Sequence, residues 1–269
     1  MTSSDGTTVP EDETQGDETG LPDNTAGVDE HEQPAQGPAS LDNGSWTAAK
    51  KSLGRAVRSG GQREAYRVAG RNYVRAHGGA ARAAKTAEPG RTATARFGQF
   101  FADVAARGID AALISFGLSG VVGQGAETVL AAIANVLSPD GATREGAVAR
   151  DSVTETLEFL YEQFSLQDGD LSRLDAMGAG DIKLALGELI GNYVFNRWLE
   201  ELGRMIEDRA VSAAQAIMLE RDVREHVRES IRLDLENVDV LAMDWAGVAG
   251  QSFVDAAFTE AYSLLEGGR

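Results

Sequence analysis

Charge is distributed along this chain of 269 residues in three separate blocks. Residues 1–49 carry eleven acidic side chains and no Lys or Arg, residues 50–100 carry twelve bases against two acids, and residues 101–269 carry thirteen bases against twenty-nine acids. The first block also contains few aliphatic side chains and, before Trp46, no aromatic one. Such a segment cannot bury enough apolar surface to offset an ordering entropy of about 1–2 kcal/mol per residue. We therefore predict a disordered acidic tail over residues 1–44.

The remaining residues, 45–269, repeat apolar side chains at spacings of three and four, which is typical of helices with one buried face. No alternating pattern typical of strands is present. The predicted fold class is therefore all-α, a multi-helix bundle-like domain in which a basic part, 45–107, could pack on an acidic part, 108–269. The predicted helices are 46–58, 62–77, 92–107, 109–116, 126–137, 144–164, 182–206, 210–219, 221–235 and 248–265.

Individual residues indicate where these helices begin and end. Ser45 and Asp181 are predicted N-terminal caps, because their side chains can accept hydrogen bonds from the first free amides of a helix. Thr143 is predicted to open the long helix that ends at about Phe164. Pro89-Gly90 is a typical helix-breaking pair, so we place the start of the third long helix after it. Trp198 and Trp245 are predicted core anchors, whereas Trp46 lies where the tail joins the fold and could contact either the tail or a partner.

The composition also limits the chemistry of the chain. It has no cysteine, which excludes disulfides, thiol catalysis and Cys-based zinc sites. The histidines lie far apart and have no metal-ligand spacing. The glycine-rich stretch 117–125 lacks the preceding strand and following lysine of a phosphate-binding loop, and no nucleophile elbow occurs. We therefore expect no enzymatic activity, no cofactor and no metal.

The location of the protein is predicted from what the sequence lacks. The N-terminus is acidic and polar, unlike a signal peptide. The most apolar stretch, 109–137, is interrupted by glycines and acids, so we predict no membrane span. These features predict a cytoplasmic protein.

The sharpest local feature is the second predicted helix. Its arginines recur every four residues and therefore share a face roughly 120° wide. This face could bind an acidic protein, the chain's own acidic tail, phosphate or nucleic acid. Alternatively, it is an ordinary solvated face paired with the protein's own acids. Nucleic acid is the less favoured ligand, because no helix-turn-helix or aromatic stacking platform is evident. The candidate contact residues are Arg55, Arg58, Arg63, Arg67, Arg71, Arg75, Tyr66, Tyr73 and Trp46.

Three runs of the chain resemble the QatB family of the bacterial Qat anti-phage defence system. They are Ser45 to Ala84, FFADVAARGIDAALISFGL (100–118) and LAAIANVLSPDGATREGAVARDSVTETLEFLYE (130–162). The resemblance extends over most of residues 45–236 and rests on general sequence similarity, since these runs contain no catalytic signature.

The resemblance implies a non-enzymatic subunit that works beside an ATPase, a QueC-like enzyme and a TatD-like nuclease. The QueC-like (QatC-like) enzyme would be its direct partner, and the flexible tail would be that enzyme's substrate or a tether. Tails of the family begin Met-Gly-Thr-Ser, whereas this one begins Met1-Thr2-Ser3-Ser4-Asp5-Gly6, so Gly6 would be the first glycine available for modification. The alternative is a helical protein that binds nucleic acid through the basic helix 62–77.

Overall fold

The computed structural model describes residues 43–58, 63–138, 143–203, 221, 224–225, 227–228, 231–233 and 235–267. All of them belong to one compact unit, Ser40–Arg269. The predicted tail lies outside the described residues except for its last two positions, and so does Gly6. The predicted helix 210–219 and parts of 221–235 also lie outside them.

The described residues form helices and no strand, which confirms the predicted all-α fold. Helical residues also occur within 221–233. Short 3-10 turns lie at Ser119–Val121, Leu166–Asp168 and Leu171–Ala176. The longer elements are α1 (Asn43–Arg58), α2 (Arg63–Ala76), α3 (Ala80–Thr86), α4 (Glu88–Arg107), α5 (Ile109–Ser115), α6 (Ala126–Leu137), α7 (Arg144–Gln163), α8 (Ala179–Gly203) and α9 (Val248–Gly267).

Helix α8 lies at the centre of the core. Every residue from Ala185 to Phe195 is buried, and a helix that is buried on all sides has neighbours all round it. It packs on α4, α7, α9 and the end of α1. One continuous cluster of buried apolar side chains includes residues from α1 through α9, so the basic and acidic parts of the sequence share a single core. Trp198 and Trp245 are buried in it, as predicted.

One predicted helix start is confirmed and three differ. Thr143 opens helix α7 as predicted, and its hydroxyl caps the helix by accepting a hydrogen bond from the Gly146 amide at 3.0 Å. Ser45 is not a cap, because α1 begins at Asn43 and Ser45 is its third residue. Asp181 lies inside the first turn of α8, and its carboxylate accepts from the amide of Gly178 at 2.9 Å. The predicted break at Pro89-Gly90 is wrong, because Pro89 occupies the first turn of α4, where a missing amide hydrogen costs no hydrogen bond.

Candidate interaction surface

Helices α1 and α2 pack against each other and form a helical hairpin. On α1 the buried side is built from Ala49, Leu53 and Ala56. On the opposite side Lys51, Arg55 and Arg58 are exposed, and their spacing places them within about 60° of the helix circumference. The amphipathic pattern of α1 therefore turns its cations to solvent.

The arginines of α2 differ in exposure and in their partners. Arg67 and Arg75 are exposed, and Arg67 lies 3.6 Å from the carboxylate of Glu64. Arg71 is half-buried and donates from Nε to the carbonyl oxygen of Glu266 at 3.1 Å. Arg71 thus binds the C-terminal end of α9, where a helix carries free carbonyls and a partial negative charge. The side chain of Arg63 lies outside the described residues.

The exposed cations of this hairpin form what we call the basic layer: Lys50, Lys51, Arg55, Arg58, Arg67 and Arg75. Within the described part of the chain, only Arg67 among them has an ion-pair partner. That pair is exposed on both sides, and exposed ion pairs of this kind contribute about 0–1 kcal/mol. The layer is therefore open to an external anion.

The aromatic candidates lie beneath this layer. Tyr66 and Tyr73, two of the candidate contact residues, are buried, and we assign both to the core. Trp46 is half-buried, and its ring lies edge-on to His77 and Tyr73 with centroids 5.0 and 6.2 Å away. Trp46 thus fastens α1 to the end of α2.

The hairpin contacts the rest of the core through α9 and α8. A Cβ atom at Gly70 would lie 3.2 Å from the carbonyl oxygen of Leu265, so the small residue lets α2 approach α9 closely. At the end of α2, His77 Nε2 lies 2.8 Å from Glu201 Oε2 on α8. Gly78 and Gly79 follow with φ values of 88° and 95°, the left-handed conformation that glycine adopts without strain.

A buried polar network around Arg197 was not predicted from the sequence. The Arg197 side chain is 2 % exposed. Its Nε donates to Glu201 at 3.0 Å, Nη1 donates to the carbonyl oxygen of Ala83 and to the Tyr262 hydroxyl, and Nη2 donates to Thr86. All three guanidinium nitrogens are therefore bonded, which indicates a structural role. The signal in the sequence was an arginine inside the most apolar helix.

The electrostatics of this network follow from burial and contact. Burial would raise the pKa of Glu201, but the hydrogen bond from His77 and the charges of His77 and Arg197 outweigh it and hold that pKa below its ordinary value of 4.5. Burial raises the pKa of Tyr262 to about 12, although Arg197 acts in the opposite direction. At neutral pH the carboxylate of Glu201 is ionised and the Tyr262 phenol keeps its proton.

A second surface feature is a groove of about 500 Å³ between α4, the end of α5 and the segment 241–246. Its apolar walls are Ala102, Ala106, Phe116, Leu241, Met243 and Trp245. Asp103 and Arg107 on the same wall form an ion pair with each other. Leu241 is 45 % exposed, which is unusual for a large apolar side chain in this structure.

The described residues show no candidate metal site and no candidate membrane span. No group of three or more His, Cys, Asp or Glu side chains there could hold a metal ion. No helix among them is long and apolar enough to cross a membrane.

Comparison with known families gives one match. The family model for the Qat anti-phage system associated protein QatB matches residues 78–265, which is more than half of the chain. The chain belongs to the QatB family. The QatB match includes the Arg197 network and the groove. Helices α1 and α2 lie before the matched range, which begins in the turn after α2, at Gly78. No curated protein and no solved structure matches the chain.

Membership of the QatB family gives the chain a role in Qat anti-phage defence. The runs 100–118 and 130–162, on which the resemblance was based, lie inside the matched range. The run from Ser45 to Ala84 lies mostly before it.

Proposed function

We propose that this chain is the non-enzymatic subunit of a Qat defence complex and binds the QueC-like enzyme of the same operon in the cytoplasm. Its acidic N-terminal tail would be that enzyme's substrate or a tether to it. The ATPase and the TatD-like nuclease would belong to the same assembly. The observation that carries the proposal is the basic layer, a set of exposed and largely unpaired cations on a protein with a net charge of −17.

The internal use of the buried polar groups supports binding over catalysis. Arg197, Glu201 and His77 are bonded to one another or to neighbouring helices, so their hydrogen-bonding capacity stabilises the fold. A catalytic group has to reach a reacting atom within hydrogen-bond distance. The basic layer, by contrast, presents charge to solvent with one exposed internal pair, that of Arg67 with Glu64, as a docking surface requires.

Co-expression with the QueC-like protein tests this proposal. The full chain and the enzyme would be expressed together and separated by size-exclusion chromatography, and the intact mass of the recovered chain would be measured. Co-elution with an increase in mass that maps to the N-terminal residues, with Gly6 as the first glycine available, would support the tail as substrate. Co-elution with unchanged mass would support a tether. Separate elution at low salt would overturn the proposal.

The basic layer also gives the nucleic-acid alternative a specific test. Phosphate contacts make binding depend steeply on salt, because each neutralised phosphate releases counterions. Binding of the isolated chain to a DNA duplex, with a steep loss of affinity between about 50 and 200 mM salt, would favour this second function.

A further inference from the structure

Helices α1 and α2 carry their exposed cations over a short length of each helix. On α1 the exposed cations extend from Lys50 to Arg58, and on α2 from Arg67 to Arg75, which is about 12 Å along each helix axis. The two helices lie side by side in one hairpin. Residues 43–86 contain ten bases and one acid, Glu64. The patch is therefore small, strongly positive and nearly free of compensating charge.

We infer that the basic layer is a docking surface for an acidic patch on a folded protein partner. The inference deepens the proposed function and rests on it, since it assigns the surface through which the partner enzyme is held. Arg55, Arg58 and Arg75 would be central, because they are exposed and have no ion-pair partner among the described residues.

The charge of the whole molecule favours a protein over nucleic acid as the occupant. Residues 101–269 carry an excess of sixteen acids, so a long polyphosphate crossing the basic patch would also meet a strongly negative body. Screening limits exposed charges to about 8–10 Å at physiological salt. A partner whose negative charge is confined to a patch of the same size would therefore experience the basic layer and little of the acidic remainder.

The side chains around the cations give a second argument. Proteins that bind single strands stack bases on exposed aromatic rings beside their cations. In this hairpin Tyr66 and Tyr73 are buried, and Trp46 is packed on His77. The described part of the hairpin thus offers charge without a stacking surface, which suits carboxylates and does not suit bases.

Arg71 supplies an internal control for this assignment. It lies on α2 between Arg67 and Arg75, but its guanidinium is bound to the carbonyl of Glu266. Replacing it would disturb the contact with α9, whereas replacing Arg55 or Arg75 removes charge from solvent alone. The docking role thus belongs to the exposed cations and not to every arginine of the four-residue repeat.

Charge reversal on the full-length chain tests the inference. The hairpin variant would carry Arg55→Glu and Arg75→Glu, and the matched control would carry Arg96→Glu and Arg144→Glu, two exposed arginines on α4 and α7. Both variants change the net charge equally. We expect the hairpin variant to bind the co-expressed enzyme at least about tenfold more weakly than the control variant, with an unchanged melting temperature for the hairpin variant. The control variant loses the 4.0 Å ion pair of Arg144 with Glu200, so its melting temperature is measured to show that it stays folded.

Two probes keep the inference testable whether or not the enzyme binds. Fluorescence anisotropy would measure binding of labelled poly-glutamate and of a labelled DNA duplex to the wild-type chain and to both variants. Binding of poly-glutamate that is lost in the hairpin variant alone would support the inference. Preference of the wild-type chain for the duplex, or no binding of poly-glutamate at low salt, would overturn it.

Failure of the docking assignment can be told apart from failure of the proposed function. If the enzyme binds the hairpin variant as tightly as the control variant, the docking assignment is overturned while the proposed function stands. If the enzyme binds neither variant nor the wild-type chain, the proposed function is overturned, and the poly-glutamate result then decides whether the basic layer binds acidic polypeptides at all.

Discussion

His77 Nε2 and Glu201 Oε2 lie 2.8 Å apart and join the end of α2 to the C-terminal part of α8. Both side chains are shielded from water, His77 at 9 % and Glu201 at 23 % exposure. Glu201 also accepts from Arg197, so the carboxylate links the basic hairpin to the buried network of the core. The hairpin is thus attached to the rest of the fold by a hydrogen bond as well as by packing.

Removing the imidazole should weaken the fold in a pH-dependent way. Because the pKa of Glu201 is held below 4.5 in the folded protein, its ionised form contributes stability that is fully present above that pH and is lost as pH falls through the folded pKa. His77→Leu should therefore lower the melting temperature more at about pH 7 than at the lowest pH at which the chain stays folded, well below 4.5. Thermal unfolding followed by circular dichroism across this range measures the difference.

The conservative variant separates the hydrogen bond from packing. His77→Gln keeps a side-chain donor near Glu201 and should recover part of the loss. A melting-temperature difference between His77→Leu and the wild type that stays constant with pH would show that Glu201 does not depend on this contact.

Replacing Arg197 tests whether the buried network is structural. Arg197→Met keeps an unbranched apolar chain but removes the arginine that donates to Glu201 and to the Tyr262 hydroxyl, and one of the two donors to the carbonyl of Ala83. We expect a loss of about 3–5 kcal/mol in the free energy of unfolding, because a buried charge loses its partner. Urea unfolding measures it, with Arg96→Met on the exposed side of α4 as the control, expected within about 0.5 kcal/mol of wild type. Equal stability of the two variants would contradict the structural role.

The long periodic helices could be predicted from sequence because their apolar stripes are local patterns. Helix α6 was predicted at its exact bounds, and α7 within one residue at its end. The start of α4 was missed because proline breaks a helix in its interior but is favoured in its first turn. Which of the two applies to Pro89 depends on tertiary contacts that the local sequence does not show. Helix α3 was missed because an alanine-rich stretch has no stripe to detect.

The candidate site was predictable as a charge pattern but not as a set of roles. Arg71 and Arg75 occupy equivalent places in the four-residue repeat, yet only Arg71 meets the end of α9. Arg197 is buried because Ala83 and Thr86 on α3 and Tyr262 on α9 converge on it. Such convergence depends on tertiary packing, which spacing within one helix does not encode.

Gly98 should tolerate no side chain, although alanine favours helices. A Cβ atom at Gly98 would lie 2.5 Å from the Trp245 ring, so Gly98→Ala would displace that ring. The gain of about 1 kcal/mol in helix propensity should be outweighed by overpacking, which typically costs about 1–3 kcal/mol. Gly180→Ala in the first turn of α8, where nothing lies within 4 Å of the added atom, is the matched control and should not destabilise.

Two measurements test the effect of Gly98→Ala. Chemical unfolding should show a lower midpoint for Gly98→Ala than for Gly180→Ala. Trp245 fluorescence, isolated by replacing Trp46 and Trp198 with Phe in the wild-type and variant chains, should shift in Gly98→Ala alone, because its indole normally donates to the carbonyl of Val240 at 3.0 Å in the core. An unchanged midpoint and spectrum would mean that α4 and the segment 241–246 separate without cost.

Arg71 and Arg75 lie one turn apart on α2 and should respond oppositely to the same substitution. Arg71→Gln removes the hydrogen bond to the carbonyl of Glu266, so the end of α9 should fray and the free energy of unfolding should fall by about 0.5–1.5 kcal/mol. Arg75→Gln removes an exposed charge and should leave stability unchanged within about 0.5 kcal/mol. In the co-elution assay the order should reverse, with Arg75→Gln weakening the complex more. If both variants lose stability equally, Arg75 also has a structural contact, and the assignment of Arg71 to the fold and Arg75 to docking is wrong.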